Sequence, residues 1–253
     1  MKFRKDAVVN GKAVLPRAPG HPEQKAIGGK TGALRAAIFG ANDGLVSNLS
    51  LIMGVAGATS KGSAVLVAGI AGLLAGAFSM GAGEFISMRV QRDVYENLLA
   101  FERDELETMP DAELRELIGI YEKRGLPKDV ARATAEIIHA DPKLALATHA
   151  WEELGLDPDD LGSPWAASIS SFCTFAVGAL IPLAPFLFAS GTAAIVAAAV
   201  LSGVTLFGIG GAMTIFTGRN FVWQGLKMLA IGAAAAIITY LIGRLLNASG
   251  VVS

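Results

Sequence analysis

Residues 33–58 read ALRAAIFGANDGLVSNLSLIMGVAGA, a run long enough to cross a bilayer as one helix, since about 20 apolar residues at ~1.5 Å each suffice. Inside it stands a carboxylate, Asp43. An ionisable group near mid-bilayer costs about 2.5–3.5 kcal/mol even on lenient insertion scales, so it normally faces a partner, a cavity or a pathway rather than lipid. Asp43 lies ~12 Å inward of Arg35, the last cation before the span. Ser47, Ser50, Gly54 and Gly57 follow on its face at helical spacing. This stripe of small and polar residues should meet protein or water.

The rest of the chain extends that reading. Of 253 residues 53% are hydrophobic and 17% charged, with a mean hydropathy of +0.51, which is the profile of a polytopic membrane protein. The formal net charge of −1 hides a segregation: two acids lie in residues 1–35, eighteen in 89–164, and the other two are Asp43 and Glu84. Nothing here suits a nucleic-acid partner. The single cysteine, Cys173, excludes an internal disulfide and reads as a small hydrophobe in an apolar segment.

Residues 1–32, with Lys2, Arg4, Lys5, Lys12, Arg17, Lys25 and Lys30 among three prolines, predict a basic disordered tail. It is not a cleavable signal peptide, because the apolar run after Ala33 is too long for an h-region and a second run follows. Further spans are expected at about Ser63–Met88, Pro164–Ala189, Gly191–Phe216 and Val222–Leu246. Lys and Arg crowd the tail, whereas the turn after span one holds only Lys61 and the turn at Ser190 holds no charge. The positive-inside rule therefore places the N-terminus and residues 89–163 in the cytoplasm and the C-terminus outside.

From Glu84 to Met109 there is no Gly or Pro, so span two is predicted to continue as one helix out of the membrane. Helices are then expected at Asp111–Arg124, Pro127–Ala140 and Pro142–Leu154, set off by prolines at their starts and by Gly125 and Gly155. No segment alternates as a strand would. The fold class is an all-α membrane protein: a tail (1–32), spans one and two (33–88), a cytoplasmic helical module (89–163) and spans three to five (164–253).

Two constellations carry chemistry. Met80 and Glu84 share a face of span two with Gly72 and Gly76, and Met80, ~13 Å inside Arg89, would lie level with Asp43 if the two helices are neighbours. A hard oxygen beside a soft sulfur suits a transition metal such as Fe²⁺ rather than Mg²⁺ or Ca²⁺. In the module, Glu102 with Glu105, Glu113 with Glu116, and His149 with Glu153 form helical pairs. Such pairs resemble in kind the carboxylate-rich metal sites of helical bundles, or they form a solvated acidic surface. His139 has no comparable company and is set aside.

The stretches GANDGLVSNLSLIMGVAGA, AGLLAGAFSMGAGEFISMRVQRD, FAVGALIP and MLAIGAAAAIITYLIGRLL resemble the vacuolar iron transporter family over nearly the whole chain after the tail. The resemblance implies a five-span homodimer that exports Fe²⁺, and often Mn²⁺, from the cytoplasm in exchange for protons, with no prosthetic group. It implies that Asp43 and Met80 line the intramembrane path and that Glu102, Glu105, Glu113, Glu116 and Glu153 bind metal. Ala36 and Gly72 stand where plant members have acids, and His149 and Ala150 stand where they have methionines. Glu84 then supplies part of the missing acidity, and His149 replaces a sulfur ligand by an imidazole. The expected protein is a carrier, not an enzyme, in a bacterial inner membrane rather than a vacuolar one. Its rivals are a membrane-anchored iron-binding protein of ferroxidase type, and a structural protein whose buried acids are met by helix-to-helix hydrogen bonds.

Overall fold

The computed structural model describes residues 8–9, 12–13, 28–214 and 218–250. Among them, five helices are long and apolar enough to cross a membrane. These are α1 (Gly28–Ala58), α2 (Gly62–Thr108), α6 (Pro164–Leu183), α8 (Gly191–Ala212) and α9 (Phe221–Ala248). Between α2 and α6 come α3 (Pro110–Lys123), α4 (Lys128–His139) and α5 (Pro142–His149), and α7 (Pro185–Phe188) follows α6. The chain divides into two compact units. One contains Val90–Gly162 and the other Thr31–Arg89 with Ser163–Ser253.

Helix boundaries follow local chemistry. Asp141 caps α5 by accepting hydrogen bonds from the backbone N–H groups of Lys143 and Leu144, with Pro142 in the first turn where its missing N–H costs nothing. Ser163 and Asn220 cap α6 and α9 in the same way. As expected, α2 runs unbroken past Met88, its apolar part giving way to charged residues from Arg89 onward.

Several expectations need correction. Span three was expected to reach Ala189, but α6 ends at Leu183 and the short α7 begins at Pro185. Pro185 has no N–H to donate and its ring crowds the preceding turn. Span four was expected to reach Phe216, and α8 ends at Ala212. The helix expected at Pro142–Leu154 keeps α geometry only to His149 and closes with a π-helical turn, Ala150–Leu154, that Gly155 terminates at φ 66°. Although no strand was expected, Val8–Val9 pairs antiparallel with Lys12–Ala13. The rest of the tail, up to residue 27, lies outside the described residues, as does the disorder expected for it.

In the membrane-spanning unit, lipid is as apolar as leucine, so helices associate through close packing rather than through burial from water. Small residues supply it. A Cβ on Gly44 would strike the Phe175 carbonyl of α6, and one on Gly57 would strike the Tyr240 carbonyl of α9. Helix α1 is therefore in backbone contact with α6 over its first half and with α9 over its second. The largest core cluster joins Leu49, Ile52 and Met53 of α1 to Val65, Leu183, Phe186, Ala194 and Ala198. Large apolar side chains such as Phe78, Val177, Val204 and Ile231 project outward, as helices facing lipid require. Cys173 on α6 is exposed.

The other unit has a small core of Leu117, Ala135 and Ile138, packed by Leu114, Ile118 and Tyr121. Successive turns of α3 and α4 bury these residues on one face, and charged residues between them such as Arg115, Glu116 and Glu136 are exposed.

Candidate metal centres

Within the membrane-spanning unit, Asp43, Ser47, Asn48 and Leu51 of α1, Gly72, Gly76, Ser79 and Met80 of α2, and Phe175 of α6 line a cleft of about 260 Å³. Asp43 and Met80 thus line one cavity, at the common level that counting residues inward from Arg35 and Arg89 gives them. Gly72 and Gly76 keep the α2 wall low. The stripe expected to run with Asp43 divides: Ser47 stays at the cleft, donating to the Asp43 backbone carbonyl at 2.6 Å, while Gly57 packs on α9.

Glu84 takes a different position from the one its spacing suggested. Its Oε1 lies 3.6 Å from Nη2 of Arg35, and it is not among the residues lining the cleft. A carboxylate in a poorly solvated place is costly without a counter-charge, and Arg35, across the α1–α2 contact, supplies one.

Asn48 is a residue that the sequence reading passed over. It is 2% exposed, and its Nδ2 donates to the Ala179 carbonyl at 2.7 Å, which turns Oδ1 away from α6. That oxygen has no hydrogen-bond partner among the described residues and would lie 2.8 Å from a Cβ on Gly72. No motif marked it, because it sits five residues after Asp43 and so off the i+4 stripe.

In the other unit, Glu102 of α2, Glu113 of α3, His149 of α5 and Glu153 of the π-helical turn each offer a ligand atom, all within 4.8 Å of one another. Nδ1 of the fully buried His149 lies 2.6 Å from Glu153 Oε1, 3.1 Å from Glu102 Oε1 and 3.5 Å from Glu113 Oε2. One N–H cannot satisfy three carboxylates. Glu102 Oε1 is buried with no hydrogen-bond partner among the described residues.

The electrostatics express that shortage. Burial, then the charges of Glu153 and Glu113, push the Glu102 carboxyl up to about 7. Burial with the charges of Glu116 and Glu105 does the same for Glu153, also to about 7. Glu113 is raised by burial, partly offset by His149, and further by the charges of Glu153, Glu116 and Glu105. For His149 the burial cost outweighs the pull of Glu113 and Glu116, so its pKa is lowered and the ring is neutral near pH 7. A divalent cation would replace the missing positive charge, and an imidazole nitrogen with carboxylate oxygens suits Fe²⁺, Mn²⁺ or Zn²⁺.

The remaining two acids, Glu105 and Glu116, are exposed. They stand outside the cluster of ligand atoms and act on it through their charge. His139, set aside on sequence, corrects that judgement: its Nε2 lies 2.9 Å from Nε2 of His149, with the rings edge to face at 67°. Residues 140 and 141 form the turn between α4 and α5, and that turn brings together two histidines ten residues apart.

Comparison with known proteins gives a consistent picture. The VIT family model matches residues 34–244. The chain is 37% identical over 216 residues to a protein of Acanthamoeba castellanii named vacuolar iron transporter, covering 85% of this chain and 79% of that protein. It is 30% identical over 221 residues to a vacuolar iron transporter of Centaurea cyanus, covering 87% and 89%. It is 33% identical over 224 residues to one of Toxoplasma gondii, covering 85% and 74%.

Proposed function

The chain belongs to the VIT family, and from that premise we propose that this integral membrane protein carries ferrous iron, and manganese with it, out of the cytoplasm in exchange for protons. The observation that carries the reading is the cleft shared by Asp43 and Met80 among apolar helices. A helix that only anchored a metal-binding module would have no need of an intramembrane carboxylate. The transported ion is the substrate. In the cleft it would meet a carboxylate oxygen and a thioether sulfur, a pair that favours Fe²⁺ over the all-oxygen ions.

The Glu102, Glu113, His149 and Glu153 cluster would gather ions on the cytoplasmic side, with Glu105 and Glu116 adding negative charge at its rim. Proton exchange follows from competition, since a carboxylate oxygen holds either a proton or the metal. A site that opens alternately to the two sides then returns protons inward as it releases metal outward.

The test uses purified protein in liposomes, with a metal-sensitive dye and a pH dye trapped inside and a pH gradient imposed. Fe²⁺ flux with proton counter-movement is expected. Asp43→Ala should abolish it, Glu84→Gln should impair it, and Met80→Ala should mainly shift the preference from Fe²⁺ toward Mn²⁺. Flux that survives Asp43→Ala at full rate would remove the cleft from the path. Binding without any flux would favour the membrane-anchored iron-binding reading instead.

A further inference from the structure

We propose that His139 is a positioning residue: its imidazole sets which nitrogen of His149 carries hydrogen and thereby lets Nδ1 of His149 serve as a metal ligand. This rests on the metal-binding reading of the cluster. A neutral imidazole has one N–H and one bare nitrogen, and the two Nε2 atoms stand 2.9 Å apart. One hydrogen therefore lies between the rings, donated by either His139 or His149.

The two directions correspond to two states of the cluster. With no ion present, the carboxylates at 2.6, 3.1 and 3.5 Å from His149 Nδ1 need a donor. Nδ1 then carries the hydrogen, and Nε2 accepts from His139. An ion held by those carboxylates needs the lone pair of Nδ1 instead. His149 must then carry its hydrogen on Nε2 and donate it to His139 Nε2.

The hydrogens balance. His149 Nδ1 gives one up to the carboxylates or to water, the hydrogen between the rings passes from His139 Nε2 to His149 Nε2, and His139 Nδ1 gains one from solvent. His139 is only partly buried, so solvent can reach it. Each ring is neutral before and after.

The choice of partner explains the arrangement. Outer-shell partners of metal-bound histidines are usually carboxylates or backbone carbonyls, which only accept. An acceptor here would fix His149 in the metal-ready form and withdraw the Nδ1 hydrogen from the three neighbouring carboxyl groups whenever the site is empty. A donor such as lysine would fix the opposite form. A second imidazole serves in both.

The experiment uses the full chain in detergent, labelled with ¹⁵N on its three histidines, His21, His139 and His149, with Zn²⁺ as a diamagnetic probe. In the empty protein we expect the hydrogen on Nδ1 of His149. With Zn²⁺ we expect it on Nε2 of His149 and on Nδ1 of His139. His139→Phe should weaken Zn²⁺ binding by about 10- to 100-fold, the range for lost outer-shell partners. His139→Gln, whose amide both donates and accepts, should restore most of the loss.

Zinc on Nε2 of His149, a hydrogen pattern unchanged by zinc, or His139→Phe binding as tightly as the unaltered protein would each overturn the proposal. So would His139→Gln binding as weakly as His139→Phe. If Glu102→Ala loses zinc while His139→Phe keeps it, only the role of His139 fails. If the unaltered protein binds no zinc, the metal-binding reading fails with it.

Discussion

Glu102 and Glu153 hold their protons up to about 7, so an incoming divalent ion must displace them. The sign follows from the raised values: below 7 the proton competes with the ion, and well above 7 it is already gone. His149 is neutral near pH 7, its pKa being lowered, and it adds no proton there. Ion binding should therefore release more protons at pH 6 than at pH 8.5, and affinity should fall as pH drops through 7. Calorimetry with Mn²⁺ in buffers of different ionisation heat measures the release directly, and equal release at both pH values would contradict the assigned burial. Glu102→Ala with Glu113→Ala should remove most of the binding. The residue scale also shows where spacing stops being informative. Glu102 and Glu105 lie three apart, about 60° around a helix, and packing takes the first inward and leaves the second in solvent. The contacts of Glu84 with Arg35 and of His139 with His149 were not readable, because each depends on how two helices meet.

Helices were the legible part of this chain. Proline and glycine mark where the backbone cannot continue or must turn, and long apolar runs between them leave few alternatives, so α1, α2 and α9 agree with expectation to within a few residues at each end where one was predicted. Of the three helix ends that differ, the end of α8 falls short by a few residues, while those of α6 and α5 came where a proline or a widened turn changed the hydrogen-bond pattern inside a run that still looked helical. Pairing of the spans was less legible, since small residues four apart permit close approach without naming the partner. The structure names it. Gly44 is closed off by the Phe175 carbonyl, whereas Gly83 has nothing within 4 Å of an added Cβ. Gly44→Ala should therefore cost about 1–3 kcal/mol, as overpacking does, while Gly83→Ala should be neutral or gain up to about 1 kcal/mol of helix propensity. Thermal unfolding in detergent distinguishes them. Equal melting points would mean that α1 and α6 are not in backbone contact.

At the scale of the whole molecule, the asymmetry of Lys and Arg between the tail and the short turns predicts a topology. Reporters fused near the tail and within residues 89–163 should be cytoplasmic, and one at Ser253 should face outward. A cytoplasmic Ser253 would mean that one of the five helices does not cross. The number of copies can be read from Cys173, the sole thiol in the chain and an exposed one on α6. A nitroxide attached there places one unpaired electron on each copy with no substitution at all. A lone chain in its detergent particle has no second spin to couple to, so a dipolar modulation in pulsed electron resonance can come only from a neighbouring copy. For the homodimer that the family resemblance implies we expect that modulation in micelles and again in lipid nanodiscs, and its frequency would give the separation between the two α6 helices.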